Sequence, residues 1–114
     1  MVTLNEVEQQ IVEEQERLVR LYYDLVDRGD LEEMFGLFTQ DILYRRGDSV
    51  IEGMEDFQRF YKEERGLEGV HSIDKVVSVP GHVGVEGRFQ GVGGDGTNRD
   101  FRFADVFHFN DDLW

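Results

Sequence analysis

The chain has 114 residues, enough for one domain with a hydrophobic core but not for two. Its formal net charge is −13, from 25 acidic against 12 basic residues, so its surface should repel nucleic acid and anionic membranes. A hydrophobic content of 39% argues against disorder, and the absence of cysteine excludes disulfides and thiolate chemistry.

The same composition bears on where the protein works. No apolar run approaches the length of a bilayer span, and the N-terminus lacks a signal-peptide pattern. We therefore expect a cytoplasmic protein. The acidic surface fits either a high-salt cytosol or an ordinary acidic protein, and the sequence leaves both open.

The first predicted element is a long amphipathic helix. Thr3 with Glu6 reads as a capping box, and the helix should run to about Arg28 and stop at Gly29. Its apolar residues recur at helical spacing, interrupted by the polar stretch 13–17: Leu4, Val7, Ile11, Leu18, Tyr22 and Leu25.

Two shorter helices are predicted after it. Asp30 with Glu33 reads as a second capping box, opening a helix through Phe38. Gly53 opens a third helix that ends at Gly66. One face of the third helix is apolar and should join the core: Met54, Phe57, Phe60 and Tyr61.

The strands follow a different pattern. Residues 42–45 read as a first strand, Gly47-Asp48 as a turn, and Ser49–Glu52 as a short extended piece. Beyond Val70 the sequence predicts strands at 72–79, 83–92 and 101–109, separated by Pro80-Gly81 and by the glycine-rich stretch 93–96. Helices followed by an antiparallel meander indicate an α+β fold over a single domain, 1–114.

One acidic residue stands out in the last strand. Period-two alternation places a single carboxyl on a face of phenylalanines: Phe101, Phe103, Asp105, Phe107 and Phe109. A buried carboxyl must be hydrogen-bonded, paired or held neutral, and such groups cluster at functional sites. The alternative is a slipped edge strand, or a bulge through which Asp105 reaches solvent.

Residues 22–30, reading YYDLVDRGD, and 103–111, reading FADVFHFND, resemble segments of ketosteroid isomerases. More broadly, with residues 53–61, they resemble SnoaL-like polyketide cyclases and the nuclear transport factor 2-like superfamily. The resemblance implies three N-terminal helices packed on a curved, mostly antiparallel sheet that encloses a conical apolar pocket. We expect the final strand of the cone to be truncated here, with Leu113-Trp114 as its remnant.

The resemblance also implies site residues. It places Tyr22 and Asp105 at the two hydrogen-bond donors that hold the enolate oxygen in the isomerases, where the aspartate is kept protonated; that enzyme is the usual example of such a neutral acid. The position of the isomerase base falls on Arg46, which cannot accept a proton. A standard ketosteroid isomerase is therefore not expected, and enzyme activity stays open.

His71 is the candidate replacement base. It begins a strand whose inward-facing set should include Ile73 and Val77, allowing for a bulge near Asp74, and Asp105 could be its partner. Imidazole suits the role because its pKa is ordinarily near physiological pH. The alternative is a histidine at the strand's open end, satisfied by water.

The arginines have two readings. Arg45, Arg46 and Arg88 could anchor a carboxylate or enolate at the pocket mouth, or could form surface ion pairs, with Arg88 on the convex face. The expected ligand contacts are Tyr44, Arg46, Phe38, Phe57, Phe103 and Phe107.

The sequence thus predicts acid–base chemistry, of isomerase or polyketide cyclase type, on an apolar carbonyl-bearing molecule. The catalytic residues would be Asp105, Tyr22 and His71, with no metal and no cofactor. The alternative is a non-catalytic ligand-binding or dimerisation module of the same fold. An exposed edge on the strand of Asp105 would need cover, so we expect a homodimer through the sheet.

Overall fold

The computed structural model describes residues 4–46 and 48–110. The first helix, α1, covers Glu6–Arg28 and buries one face against the sheet. It is capped by Asn5 and Glu8, which bond to each other's backbone N–H groups, whereas the predicted cap Thr3 lies outside the described residues. The predicted end is confirmed: Gly29 adopts a left-handed conformation (φ 78°) that an L side chain would strain.

The two shorter helices differ in detail from the prediction. The second helix, α2, covers only Leu31–Phe35, and the side chain of Asp30 makes no capping hydrogen bond, so the predicted capping box is wrong there. Asp30 instead pairs with Arg28 at 3.3 Å. The third helix, α3, covers Met54–Arg59 and continues into a π-helical turn, Phe60–Glu64.

Strands β1 (Leu43–Arg46) and β2 (Ser49–Glu52) form an antiparallel hairpin, with Tyr44 opposite Ile51. The predicted turn residue Gly47 lies outside the described residues. This hairpin packs against α3 and presents Tyr44 to its rings.

The remaining strands form an antiparallel meander in the order β3-β4-β5. All three predicted strands are confirmed, but each is longer: β3 covers Leu67–Val79, β4 His82–Gly93 and β5 Asn98–His108. The ladder shifts register between Ile73 and Lys75. This bulge turns Val76 inward and leaves Val77 57% exposed, so the predicted inward position of Val77 is wrong.

The core lies between α1 and the inner face of the meander. It is dominated by aromatic side chains from α1 and α3 together with small valines of β4 such as Val83 and Val85. Within the described residues, no helix is long and apolar enough to cross a membrane.

Candidate functional site

Asp105 lies on the inner face of β5, directly opposite the buried Val85 of β4. The inner-face residues 103, 105, 107 and 109 are half-buried, whereas 102, 104, 106 and 108 are exposed. The predicted facing is therefore confirmed over this stretch, and the slipped-register alternative is excluded. Phe101, nearer the strand start, is 41% exposed.

The partner of Asp105 is a tyrosine that the sequence reading missed. The hydroxyl of Tyr23 donates to Oδ2 of Asp105 at 2.5 Å. Burial raises the pKa of the Tyr23 phenol, and the negative charge of Asp105 raises it further, so Tyr23 is a proton donor at any ordinary pH. Tyr22, the neighbouring residue, points elsewhere, because consecutive helical residues point about 100° apart.

Tyr22 pairs with another tyrosine instead. Its hydroxyl meets that of Tyr61 on the π-helical turn. Either hydroxyl can be the donor in this pair. Tyr22 lines the cavity and Tyr61 does not, so donation by Tyr61 would leave the proton of Tyr22 free for a bound molecule. Burial raises the pKa of Tyr22, and the bond with Tyr61 partly opposes that rise.

A cavity of about 700 Å³ lies beside these groups, large enough for a small organic molecule. Its walls come from α1, the segment before β1, β1 itself, α3 and β5. The lining includes Leu18, Val19, Tyr22, Leu37, Phe38, Thr39, Asp41, Ile42, Leu43, Tyr44, Arg45, Phe57, Ala104, Asp105, Val106, Phe107, His108, Phe109 and Asn110.

Asp105 presents one oxygen to this cavity. No hydrogen bond joins its Oδ1 to any described residue. Every fully buried side-chain oxygen or nitrogen in the described part has a partner, so Oδ1 is not fully buried, and Asp105 lines the cavity. Asp105 therefore has one oxygen fixed by Tyr23 and the other available to a ligand.

The cavity is a slot between two strands as well as a pocket behind them. Consecutive residues line it on β1 (43–45) and on β5 (104–108), so each strand borders it with an edge. Within the described residues, β5 pairs only with β4 and β1 only with β2. Backbone N–H and C=O groups of the two edges are thus available to a bound molecule.

His71 lies behind the cavity wall and has a different partner. Its Nδ1 is 2.5 Å from Oδ1 of Asp27, and its backbone N–H donates to Oδ2 at 2.9 Å. The ring packs against Tyr23 and Phe103 at centroid distances of 5.1 and 5.3 Å. The predicted His71–Asp105 partnership is therefore wrong, although Tyr23 connects the two residues.

The spacing of Asp27 on α1 could have predicted its buried position, but the sequence analysis did not use it. It lies four residues after Tyr23 on α1, so both side chains project from the same face of the helix towards the sheet. Its carboxyl is only 16% exposed. A carboxyl at this position needs a buried partner, which β3 supplies.

The arginines separate into three environments. Arg88 forms a bidentate pair with Asp100 on the outer face of the sheet, which confirms the ion-pair reading for that residue. Arg46 stacks over Phe60 and donates to the hydroxyl of Tyr44 at 3.4 Å, outside the cavity lining. Arg45 is the arginine on the cavity wall.

The expected ligand contacts divide accordingly. Phe38, Tyr44, Phe57 and Phe107 line the cavity, as do the candidate catalytic residues Tyr22 and Asp105. Arg46, Phe103 and His71 do not, and Phe103 instead packs beside Tyr23 at 5.5 Å between ring centroids.

Three helices on a curved antiparallel meander, with an aromatic cavity at one side, define a cone-shaped α+β pocket domain. The chain belongs to the SnoaL-like domain family, whose sequence profile matches residues 19–114. No curated protein sequence matches the chain.

Solved structures share this fold. The epoxide hydrolase/cyclase-like enzyme SalBIII, described for its role in pyran ring formation in salinomycin, has a TM-score of 0.78 and 17% identity, over 88% of this chain and 83% of that one. A putative polyketide cyclase from Xanthomonas campestris pv. campestris has a TM-score of 0.77 and 19% identity, over 89% and 84%. An LEH-like epoxide hydrolase of M. tuberculosis has a TM-score of 0.74 and 17% identity, over 91% and 76%. At these identities the likeness shows the fold alone.

Proposed function

We propose that the protein binds an apolar small molecule bearing a carbonyl oxygen and performs acid–base chemistry of the isomerase or cyclase kind on it. The observation that carries the proposal is that Asp105 and Tyr22 line one cavity and that each is held by a second tyrosine. Structural neighbours named as polyketide cyclases or epoxide hydrolases support small-molecule chemistry on this fold.

The geometry suggests a role for each group. Oδ1 of Asp105 takes a proton from the carbon next to the carbonyl, and the C–H electron pair moves into the C–C–O system to form an enolate. The hydroxyl of Tyr22 donates to the enolate oxygen. In a β,γ-unsaturated ketone the anion is a dienolate, and return of the proton from Asp105 to the γ-carbon is isomerisation. Attack of the enolate carbon on a second carbonyl of the same molecule breaks that C=O π bond, and return of the proton from Asp105 to the new alkoxide completes a cyclisation. Asp105 thus serves as the base that His71 was expected to be, because His71 does not reach the cavity.

The Tyr23 bond suits this role better than that of a hydrogen-bond donor, because Tyr23 already uses the carboxyl of Asp105 as an acceptor. Positioned acid–base groups of this kind contribute roughly 10²–10⁴-fold to a rate.

A deuterium-exchange assay tests the proposal without knowledge of the natural substrate. 2-Tetralone in D₂O exchanges its α-hydrogens, and proton NMR follows the loss of signal. We expect the protein to accelerate this exchange, Asp105→Asn to reduce the acceleration by about 100-fold or more, and Tyr22→Phe to reduce it by about 10–10³-fold. Asp100→Asn, on the outer face, is the matched control. Equal exchange by the wild type and Asp105→Asn would refute the assignment, and binding without exchange would favour a non-catalytic pocket.

We also propose that the protein is a homodimer through the outer face of its sheet. Three exposed valines lie in two adjacent cross-strand rows at one end of that face: Val77, Gly84 and Val106 in one row, and Val79, His82 and His108 in the next. An apolar strip of this kind favours association with another apolar face. A cytoplasmic location stays a prediction.

Light scattering coupled to gel filtration tests the dimer. Val106→Asp should produce a monomer, whereas Val7→Asp, at an exposed valine of α1, should leave the dimer intact. Because each subunit carries a formal charge of −13, added salt should strengthen the dimer. A wild-type monomer at micromolar concentration would contradict the proposal.

A further inference from the structure

Arg45 borders the cavity at the edge of β1 and has no partner among the described residues. It lines the cavity, it is exposed, and it makes no ion pair, hydrogen bond or ring contact with any described residue. Its neighbour Arg46 is engaged with Phe60 and Tyr44, and Arg88 with Asp100.

Most exposed arginines in this acidic chain are paired. Five of the eight reach a carboxylate: Arg17, Arg28, Arg59, Arg88 and Arg102. Arg20, Arg45 and Arg46 do not reach one within the described chain, and of these three Arg45 lines the cavity. With 25 acidic residues available, an arginine beside a cavity that is not neutralised from within the described chain is suited to an anion from outside.

The position of Arg45 relative to the proposed reacting groups matters. Tyr22 is 8% exposed and Asp105 half-buried, so they form the deep part of the site, whereas Arg45 is exposed on β1. Arg45 therefore belongs to the rim and the other two to the interior.

Two carboxylates on the same walls oppose a bound anion. Asp41 and Asp105 both line the cavity. The repulsion between two like charges, and the attraction between opposite ones, falls inversely with the distance between them. A ligand anion is therefore favoured only if it lies directly against Arg45, where the guanidinium fork adds two hydrogen bonds to the charge.

We propose that the ligand of this cavity is an amphipathic organic acid, whose carboxylate binds Arg45 at the rim while its apolar body and carbonyl reach Tyr22 and Asp105. The inference rests on the proposed function, since it uses the same cavity and the same orientation of the carbonyl. It adds the chemical class: a keto acid rather than a neutral ketone.

A matched pair of ligands tests this inference. 2-Acetylnaphthalene and 6-acetyl-2-naphthoic acid share their apolar body and ketone and differ in the carboxylate. Isothermal titration at low salt should show the acid binding at least about tenfold tighter, which corresponds to about 1.4 kcal/mol. Arg45→Gln should abolish this difference and leave the affinity for 2-acetylnaphthalene unchanged. Arg88→Gln, on the outer face, is the control and should change neither affinity.

The outcomes separate this inference from the proposed function. Equal affinity for the two compounds, unaffected by Arg45→Gln, overturns the keto-acid inference while leaving ketone binding and the exchange assay intact. Failure of both compounds to bind overturns both. Arg45→Lys provides a second variant, because it keeps the charge and loses the fork, so it should retain only part of the preference for the acid.

Discussion

The hydroxyl of Tyr23 and Oδ2 of Asp105 lie 2.5 Å apart, which joins α1 to β5 across 82 residues of sequence. The bond fixes one oxygen of Asp105 and leaves the other without a partner among the described residues, in a side chain beside the cavity. It therefore links the packing of the long helix to the orientation of the proposed base.

Tyr23→Phe removes this bond and keeps the ring. Because the acceptor is a carboxylate, we expect the free energy of unfolding to fall by about 1.5–3 kcal/mol, measured by urea denaturation at pH 7. Tyr44→Phe is the control, since among the described residues the hydroxyl of Tyr44 bonds only to Arg46, at 3.4 Å, and its loss should change stability by less than about 0.5 kcal/mol. An equal fall in the free energy of unfolding in the two variants would contradict a stabilising role for the Tyr23–Asp105 bond.

Asp27 offers a second test within the same helix. Its carboxylate holds both the ring and the backbone N–H of His71, and the two side chains are only 16% and 11% exposed. Asp27→Ala should lower the free energy of unfolding by about 2–4 kcal/mol, because the N–H and the ring lose their acceptor in a largely desolvated place. Asp24→Ala, at an exposed position one turn earlier, should be nearly neutral in the same urea experiment. A neutral Asp27→Ala would contradict a structural role for the pair.

The sequence predicted the architecture well because periodicity reports which face is buried. Period-two alternation identified β5 and the inward position of Asp105, and Gly29 marked the end of α1. The bulge expected near Asp74 is confirmed between Ile73 and Lys75, but its effect on facing was misjudged. One extra residue reverses the facing of the residues beyond it, so Val76 and not Val77 points inward.

The site was less predictable because it depends on rotation about helix axes. Tyr22 and Tyr23 are adjacent in sequence, and resemblance selected Tyr22 by position. The orientation of α1 on the sheet decides that Tyr23 meets Asp105 and that Tyr22 meets Tyr61. The partner of His71 was missed for the same reason, since pairing across 44 residues follows from packing rather than from local pattern.

Gln15 yields a third prediction, at a place the periodicity treated only as a polar interruption. It is fully buried; its Oε1 accepts from the backbone N–H of Gly81 at 2.7 Å and its Nε2 donates to the carbonyl of Val79 at 2.9 Å. Gln15→Leu keeps the volume but removes the buried side-chain partner of both backbone groups, so the free energy of unfolding should fall by about 2–4 kcal/mol. Gln10→Leu, on the exposed side of α1, is the control for the change in helix composition. Urea denaturation again provides the measurement. A Gln15→Leu variant as stable as the wild type would refute the conclusion that Gln15 stabilises the β3–β4 turn.

Alkaline pH should destabilise the protein steeply, because burial raises the pKa of Tyr22, Tyr23 and Tyr61 in the folded state. In the unfolded chain these phenols titrate near pH 10. Above that pH the unfolded state loses protons that the folded state keeps, so stability is fully present below about pH 10 and falls as pH rises towards the higher folded-state pKa values. Each tyrosine contributes about 1.4 kcal/mol per pH unit to the fall in the free energy of unfolding.

Urea unfolding at several pH values between 9 and 11.5, about one unit apart at most, measures the total slope of the free energy of unfolding against pH. Tyr61→Phe should reduce it by one tyrosine's share, whatever the variant's stability at pH 7. An identical slope in the wild type and in Tyr61→Phe would show that this phenol ionises as readily in the fold as in the unfolded chain, and would remove the basis for a protonated Tyr61 donating to Tyr22.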